Sequence, residues 1–499
     1  MTLAEAKFRS TSFAVYIDDT WKVSPKLTIN AGIRYELTPP WLDQNGTLIN
    51  AYLPAFDDTP NVQDPARHPT LVRIGSGDFY EGTLLRFNPA ISVARDGRLG
   101  DRLVATDYND IAPRLGLAWN PTDKWTIRGG AGLFYSQDTG NPRFDMARNF
   151  SGRRRDESNA DFPDLTWDQP FRDLSGTIQV NNPYVLANAS DRRTPYTFQY
   201  LVNFQRELGN HVAEIGYLGS FSRNLESLRA INESLPGATG SVLSRAPYPE
   251  FGRIQVVNNT GKGSYHGVSA KLQRRHSDGL SYVLAYTFSK SIDTASAIRN
   301  HNGDTLFPQN SYDLAAEKAL SSFHVAHRFV GSFLYELPFS GDGEGIESAL
   351  LGGWQLSGIV TAQSGFPITI FAGRDQSNTG AGFDRPDVTG QDPVLPSGER
   401  TPERWFNTDA YVLQEFGTFG NVGRNTLIGP GLFLMDLSLI KNIEIAAGHT
   451  LQLRAEVFNL TNHPNWANPN TNLLSTNFGR ITGTRTNMRE LQFGVKYLF

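Results

Sequence analysis

The chain closes on the stretch Leu491-Gln492-Phe493-Gly494-Val495-Lys496-Tyr497-Leu498-Phe499, whose side chains alternate in character. Every second residue, beginning with Leu491, is apolar or aromatic, and the residues between them are small or polar except for Leu498. Successive side chains of a β-strand point to opposite faces. The stretch therefore predicts a strand with one apolar and one polar face, and its aromatic carboxyl end is typical of the last strand of an outer-membrane β-barrel.

Composition limits the classes of protein that this sequence can encode. Its 499 residues exceed an ordinary globular domain unless they form one large barrel. The net charge of −4 argues against a generally basic surface for nucleic acid, and the absence of cysteine fits an oxidising compartment. The sequence contains no run of about 18 apolar residues, so it predicts no transmembrane helix. Barrel strands escape that test, because only alternate residues face lipid.

The alternating pattern recurs in pairs of segments joined by short turns. In the first pair, residues 13–23 alternate, a turn follows at 24–26, and residues 27–37 alternate again. The second segment has the length of a tilted membrane-spanning strand, about 9–11 residues, whereas globular strands are more often about five or six. About thirteen strands are predicted in all. The others carry their apolar residues within 115–119, 125–135, 198–204, 213–217, 268–272, 280–288, 329–337, 354–360, 433–439, 451–457 and 491–499.

The predicted connections alternate between short turns and long loops. The long loops are rich in Gly, Pro, Asn, Asp and Ser, and they cover roughly 38–110, 137–195, 222–264, 291–324, 364–431 and 460–487. This asymmetry is typical of a membrane barrel with short periplasmic turns and long extracellular loops. Trp21, Trp119 and Trp125 lie beside short turns, where an aromatic girdle is expected. A soluble β-sandwich or propeller also alternates, but it does not explain strand length, loop asymmetry and aromatic end together.

Six motifs spread over nearly the whole chain carry a family resemblance. They are YIDDTWKV (16–23), NDIAPRLGLAW (109–119), YTFSKSID (286–293), HRFV (327–330), GGWQLSG (352–358) and RAEVFNLTNHP (454–464). In this order, and with the terminal Phe499, they resemble the barrel domain of Oar-like TonB-dependent receptors. The resemblance implies an all-β fold, an antiparallel transmembrane β-barrel of about 22 strands with a plug domain in its lumen.

The amino-terminal side departs from the family pattern. Residues 1–10 contain no basic-then-apolar signal sequence, and neither a plug domain nor a TonB box is recognisable. Residues 1–499 are therefore expected to be the C-terminal part of a TonB-dependent receptor barrel, from a truncated gene or an incomplete gene prediction. The thirteen predicted strands would then be the last thirteen strands of a barrel of about 22. Such a chain is not expected to perform energised uptake alone.

No catalytic constellation, cofactor site or metal site is predicted. His324 and His327 form a spaced pair, but positions three apart on a strand face opposite sides. The stretch GDGEG at 341–345 lacks the strand–helix context of a phosphate-binding loop and predicts a turn. Three oxygen-bearing residues of one long loop suggest calcium, although their spacing matches no cation-binding loop. They are Asp375, Asn378 and Asp384.

Charged side chains on the polar faces of the strands are the main site candidates. They are expected to line the lumen of the barrel. There they would contact a plug, guide a polar ligand, or lie in water without a specific role. Structural and plug-contacting roles are favoured. These residues are Arg34, Glu36, Arg114, Arg128, Arg328, Glu336, Arg454, Glu456 and Lys496. Loops on a rigid scaffold also concentrate binding residues. The aromatic loop candidates are Trp41, Tyr80, Phe162, Trp167 and Trp405.

The favoured function is uptake of a scarce extracellular solute by a TonB-dependent receptor in the Gram-negative outer membrane, without enzymatic activity. The expected partners are outer-membrane lipid, the TonB complex acting through the plug of the full-length receptor, and the barrel-assembly machinery. That machinery is expected to recognise Tyr497 and Phe499. The ligand stays open between siderophore, oligosaccharide, peptide and cobalamin, and no nucleic acid is expected. The alternatives are a surface barrel with an adhesive or structural role through its loops, and a soluble secreted β-rich protein.

Overall fold

One antiparallel sheet dominates the computed structural model, which describes residues 6–54, 67–83, 85–137, 140–151, 168, 178–298, 307–339 and 351–499. Its main path contains thirteen long strands in chain order, as the sequence predicts. They are β1 Phe13–Ser24, β2 Leu27–Leu37, β3 Ile111–Thr122, β4 Trp125–Tyr135, β5 Tyr196–Leu208, β6 His211–Ala230, β7 Ile254–Ser277, β8 Leu280–Asp293, β9 His327–Glu336, β10 Trp354–Gln363, β11 Leu432–Ala446, β12 His449–Phe458 and β13 Glu490–Leu498.

The strands pair so that their apolar sets lie in register. Ile17 is opposite Ile33, Ile127 is opposite Phe204, and Ala455 is opposite Phe493. These residues define the apolar face of the sheet, and the opposite side is the polar face. Phe493 is 77% exposed and Ile17 is 71% exposed. Soluble monomers rarely expose a continuous apolar surface that extends over many strands, so this face is suited to an apolar environment.

The short turns lie at one end of the sheet. Asp278 (φ 51°) and Gly279 (φ 71°) connect β7 to β8, and two consecutive positive φ angles fit a two-residue hairpin turn. A Cβ on Gly279 would also meet the carbonyl oxygen of Glu336 at 3.0 Å. The turn residues therefore fix the register that places the apolar faces of β7 and β8 on the same side.

The connection predicted at 222–264 is shorter than expected, because β6 and β7 continue far beyond the apolar face. They have 20 and 24 residues, and the observed connection covers 231–253. The pairing of β6 with β7 shifts its register between Ser222 and Ser227 and then continues up to Ala230. Loops cover both faces of this extension, so Leu228, Ala230 and Val256 are all buried. A strand buried on both faces loses its alternation, which hid the extension from the sequence pattern.

The connections at the other end form what we call the loop layer, the described residues of 38–110, 136–195, 231–253, 294–326, 364–431 and 459–489. They were predicted as long loops, and they contain short strands and contribute to four clusters of buried apolar residues. The short strands are Leu42–Asp43, Ile49–Tyr52, Thr70–Arg73, Leu85–Phe87, Ser92–Ala94, Ile178–Val180, Val185–Asn188, Ala319–Leu320, Pro367–Ile368, Asp387–Val388, Tyr411–Val412 and Leu427–Ile428, and Phe8–Arg9 precedes β1.

Helices are few and short. They are the α-helices Asn141–Ser151 and Val242–Arg245 and the 3₁₀-helices Leu314–Glu317, Ser397–Glu399 and Thr408–Ala410. Within the described parts of the chain, none of the helices has the length and apolar character needed to cross a membrane.

Candidate functional site

The nine charged residues predicted to line a lumen all lie on the polar face. They occupy β2, β3, β4, β9, β12 and β13, and each is one position away from a residue of the apolar face. Arg34, for example, is opposite Ala112, whereas its neighbour Ile33 is opposite Pro113. The alternation of strand side chains thus places Arg34, Glu36, Arg114, Arg128, Arg328, Glu336, Arg454, Glu456 and Lys496 on one surface.

Only some of these nine residues meet one another. The guanidinium of Arg34 contacts the carboxylate of Glu36, and Arg34 and Arg114 line one cavity of about 270 Å³. Arg128 donates to Oε1 of Gln205 at 3.3 Å, and Nε of Arg454 donates to Oε1 of Gln452 at 2.6 Å. The polar face is therefore a spread of local charge and amide pairs and not one convergent site.

Sequence reasoning missed a second group of charges on the polar face, on β5, β6 and β7. Nη2 of Arg275 donates to Oε1 of Glu207 at 2.6 Å, and Nδ2 of Asn203 donates to Oε1 of Glu214 at 2.8 Å. Glu214 and Arg275 line a cavity of about 280 Å³ together with Arg128. The signal was available, because Glu214 alternates with Ile215 in the same way as Arg34 alternates with Ile33.

A cavity of about 600 Å³ on the polar face lies against β7 to β12. Glu456, one of the predicted residues, lines it with Asp436 and Ser438. Oδ1 of Asp436 accepts a hydrogen bond from the backbone N–H of Asn459 at 2.8 Å, which ties this end of β11 to the connection after β12. Carboxylates, hydroxyls and amides therefore present a hydrogen-bonding surface to anything that passes along this face.

Two buried ion pairs fasten the loop layer. Nη1 of Arg385 donates to both carboxylate oxygens of Glu317 at 3.0 Å, and both side chains are at most 5% exposed. Arg424 contacts the carboxylate of Asp293, and its Nε donates to the backbone oxygen of Glu317 at 3.0 Å. A buried charge is tolerated only when it is paired and hydrogen-bonded. These pairs therefore fix the connection after β10 against the end of β8 and the connection that follows it.

Glu233 is a buried carboxyl just beyond β6. Oγ of Ser311 donates to its Oε2 at 3.0 Å, whereas Oε1 has no hydrogen-bond partner in the part of the chain that the structure describes. Burial raises the pKa of Glu233 to about 7, against a partial opposing effect of the Ser311 hydrogen bond and of the charge on Arg253. The carboxyl is therefore easier to protonate in the folded protein than in the unfolded chain.

The loop layer around Glu233 is expected to lose stability as the pH rises. The unfolded carboxyl has its ordinary pKa of 4.5 and the folded one a pKa of about 7, so the folded state holds the proton more tightly. This contribution is full below about pH 4.5 and is lost as the pH rises through about 7, with a slope of at most about 1.4 kcal/mol per pH unit. Hydrogen exchange of residues 307–317, corrected for intrinsic rates, measures it.

Glu233→Gln keeps a neutral side chain at this position and is expected to abolish the slope. Glu399→Gln, at an exposed loop residue, is the matched control and is expected to keep it. An unchanged slope in Glu233→Gln would contradict the assignment.

The aromatic loop candidates pack into the loop layer and do not project from it as free contact residues. Trp41 meets Phe144 at a ring distance of 5.9 Å. Tyr80 packs on Phe79 at 5.0 Å, and Nε1 of Trp405 donates to a backbone carbonyl at 3.2 Å. All three are partly buried. The other two candidates, Phe162 and Trp167, lie outside the described residues, as does the Gly-rich stretch at 341–345.

The suspected cation ligands are engaged by backbone groups of the loop layer. Oδ2 of Asp375 accepts from the backbone N–H of Gly380 at 2.8 Å, and Oδ2 of Asp384 accepts from that of Ser377 at 2.6 Å. Nδ2 of Asn378 donates to the carbonyl of Gly237 at 2.9 Å. The described residues contain no cluster of three acidic, His or Cys side chains suited to a metal ion. Asp375 and Asp384 therefore close their own loop, and Asn378 joins it to the connection after β6.

The two histidines of the spaced pair are engaged separately. Only His327 lies on a strand, and its Nδ1 is 2.7 Å from the hydroxyl of Tyr286. His324 is buried before the strand, where its Nδ1 accepts from the backbone N–H of Ser291 at 3.2 Å. Each ring therefore has its own local structural contact.

The terminal strand carries the two residues predicted to be read by the assembly machinery. Tyr497 lies on the apolar face of β13, and its hydroxyl is 2.7 Å from Nδ1 of His449. Its ring stacks on Phe499, which is 92% exposed. In the described residues β13 pairs with β12 alone.

Sequence comparison decides the family. The model of the outer membrane beta barrel domain matches residues 2–492, almost the whole chain. The chain belongs to the outer membrane beta barrel family. No protein with a curated description matches the chain in sequence. As a member of this family, the barrel protein is located in the Gram-negative outer membrane and is not an enzyme.

Solved structures that resemble this chain at low identity include two transporters and a receptor. The FrpB iron transporter from Neisseria meningitidis is 10% identical, with 98% of this chain and 46% of that chain covered and a TM-score of 0.44. The siderophore receptor PiuA from Acinetobacter baumannii is 10% identical, with 98% and 43% covered and a TM-score of 0.45. The outer membrane transporter YddB from Escherichia coli is 12% identical, with 98% and 54% covered and a TM-score of 0.48. The chain thus spans about half the length of these proteins.

Proposed function

We propose that the barrel protein forms the wall and extracellular loops of an Oar-like TonB-dependent receptor that takes up a scarce solute. The observation that carries the proposal is the polar face, which presents charged, amide and hydroxyl side chains on strands of membrane length. A barrel of about eight strands can be filled by its own side chains, and wider barrels enclose a channel or a plug. A closed wall of thirteen or more strands would therefore enclose space for a polar solute or a plug.

The loop layer supports a receptor role. Its packed clusters and buried ion pairs hold the loops in one arrangement, and a preordered surface loses less entropy when it captures a ligand. High affinity for a dilute solute requires such preorganisation. The mechanism is capture and gating by differential binding, and no covalent step is involved.

The charges of the polar face suit contact with a plug domain. Positive and negative side chains alternate there at short range, as in Arg275 with Glu207, so a plug surface with complementary charges would find partners at many points. Energy from the TonB complex would act on that plug and release it from the wall. Siderophore, oligosaccharide, peptide and cobalamin ligands all remain compatible with this surface.

The experiment compares a bacterium that carries the gene with a deletion strain and with a strain that lacks TonB. The decrease of each small solute in the growth medium is followed by mass spectrometry, with and without a protonophore. We expect at least one solute to stay in the medium in the deletion strain, in the TonB-deficient strain and in protonophore-treated cells. Identical depletion in all strains, with loss of surface attachment in the deletion strain, would instead support the stationary adhesive barrel.

We also infer that Tyr497 and Phe499 serve as the assembly signal. Their stacked rings form an exposed aromatic edge at the end of β13. Phe499→Lys is expected to lower the amount of protein in the outer-membrane fraction several-fold, and an unchanged amount would argue against this role.

A further inference from the structure

A cluster of cations lies where the apolar face of the sheet meets the loop layer. Arg223 on β6 is two residues beyond Phe221, and Lys290 on β8 is two residues beyond Phe288. The register places Phe221 opposite Phe198, on the apolar face. Residues two apart on a strand share a face, so Arg223 and Lys290 continue the apolar face toward the loops. The guanidinium of Arg223 indeed lies 5.9 Å from the ring centroid of Phe221.

Two further lysines lie at this edge of the sheet, one on β7 and one directly before the short strand Ala319–Leu320. Lys262 lies on β7, two positions before Ser264, and Ser264 is opposite Phe221. Lys318 precedes by two positions Leu320, which pairs with β8. All three lysines are exposed, and Arg223 is half-buried. We call the four residues the rim patch; they are Arg223, Lys262, Lys290 and Lys318.

A cavity of about 360 Å³ opens at the rim patch. Arg223 and Lys262 line it on one side, and the apolar side chains of Leu228, Phe307 and Leu314 line it on another. The lining therefore combines cationic, hydroxyl and amide groups with apolar side chains, and Arg223 and Lys262 are its two members from the rim patch. This is the composition that fits a molecule with an anionic head and an apolar body.

The carboxylates around the cavity do not neutralise the rim patch. Glu317 lines the cavity, but both its oxygens accept hydrogen bonds from Arg385. The carboxylate of Asp293 at the end of β8 is held by Arg424. In the described ranges, none of the rim-patch residues forms an ion pair with a carboxylate. The positive charge at this edge is thus available to an external anion.

We propose that the rim patch and its cavity bind the phosphorylated headgroup of a lipid in the outer leaflet of the membrane. The end of an aromatic belt marks the membrane–water interface of a barrel, and lipid phosphates lie at that level. The cations contact the phosphates, and Phe307 and Leu314 contact the apolar part of the lipid. The inference rests on the outer-membrane location of the barrel and is independent of solute uptake.

Binding of bisphosphorylated lipid A to the full chain in mild detergent tests the proposal by native mass spectrometry. The triple variant Arg223→Gln/Lys262→Gln/Lys290→Gln is expected to bind on the order of a hundredfold more weakly, since each cation near an anionic surface contributes roughly fivefold. The matched control Lys22→Gln/Lys26→Gln/Lys124→Gln removes three exposed cations around the short turns at the other end of the sheet. It is expected to bind as the unaltered chain does.

Two further arms identify the source of the anion and guard against misfolding. Dephosphorylated lipid A is expected to bind as weakly as the triple variant does, and inorganic phosphate at millimolar concentration is expected not to displace the lipid. Lys262→Arg/Lys290→Arg, which keeps the charges, is expected to retain binding. Equal weakening in both triple variants, tight binding of the dephosphorylated lipid, or full displacement by inorganic phosphate would overturn the proposal.

Discussion

Arg424→Ala is expected to open part of the loop layer, at a cost of about 3–5 kcal/mol, because it leaves a buried carboxylate without its partner. Arg424 contacts the carboxylate of Asp293, and its Nη2 also donates to the backbone oxygen of that residue at 2.9 Å. Both side chains are at most 5% exposed. Hydrogen exchange of residues 307–320 and 420–428 is expected to accelerate by more than about a hundredfold.

The control for this prediction is an ion pair in water. Arg98 and Asp96 pair at 2.6 Å with side chains that are 42% and 44% exposed. Arg98→Ala is expected to change stability by no more than about 1 kcal/mol, because solvent screens the pair. If both variants exchange at the same rate as the unaltered chain, the buried pair does not hold the loop layer and its assignment fails.

Leu437→Arg is expected to destabilise the barrel by about 2–4 kcal/mol, whereas Ser438→Arg, one residue away, is expected to change stability by no more than about 0.5 kcal/mol. Leu437 lies on the apolar face in the middle of β11, opposite Gly358 and Val457. An arginine there must leave its charge in hydrocarbon. Ser438 lies on the polar face, where its Oγ donates to Oε1 of Glu456 at 3.5 Å, so a new guanidinium meets a carboxylate.

Urea unfolding in lipid vesicles and the yield in outer membranes measure this pair of variants. Since both changes introduce the same side chain into the same strand, general effects of arginine on synthesis or export cancel in the comparison. A similar loss of stability in both variants would show that the two faces of β11 do not differ in environment, and would contradict the assignment of lipid to the apolar face.

The sequence predicted the strands and their faces because these depend on a local pattern with a period of two residues. Arg34 and Glu36 could be placed on the polar face from their neighbours alone, and the register agrees. The count of thirteen strands is confirmed for the same reason. The ends of β6 and β7 were misplaced where loops bury both strand faces and the period disappears.

The loop layer could not be predicted, because its contacts join residues far apart in sequence. Nδ2 of Asn50 donates to the backbone oxygen of Asn188 at 2.8 Å, across 138 positions, and Glu317 pairs with Arg385 across 68. Neither the polar composition nor the spacing of these loops indicates such pairs. The rim patch was missed for a related reason, since its four cations lie on separate segments of the chain and come to the same edge of the sheet only after the strands pair.

The length of β6 and β7 has a mechanical consequence. The two strands run from the short turns at one end into the buried clusters of the loop layer, with a pairing shift between Ser222 and Ser227, and the short strand Val185–Asn188 pairs with β7. Bending this ribbon on either side of the pairing shift would break several backbone hydrogen bonds together, so the two strands stiffen the junction between wall and loops. A displacement of the loops is therefore expected to be accompanied by a displacement of this part of the wall.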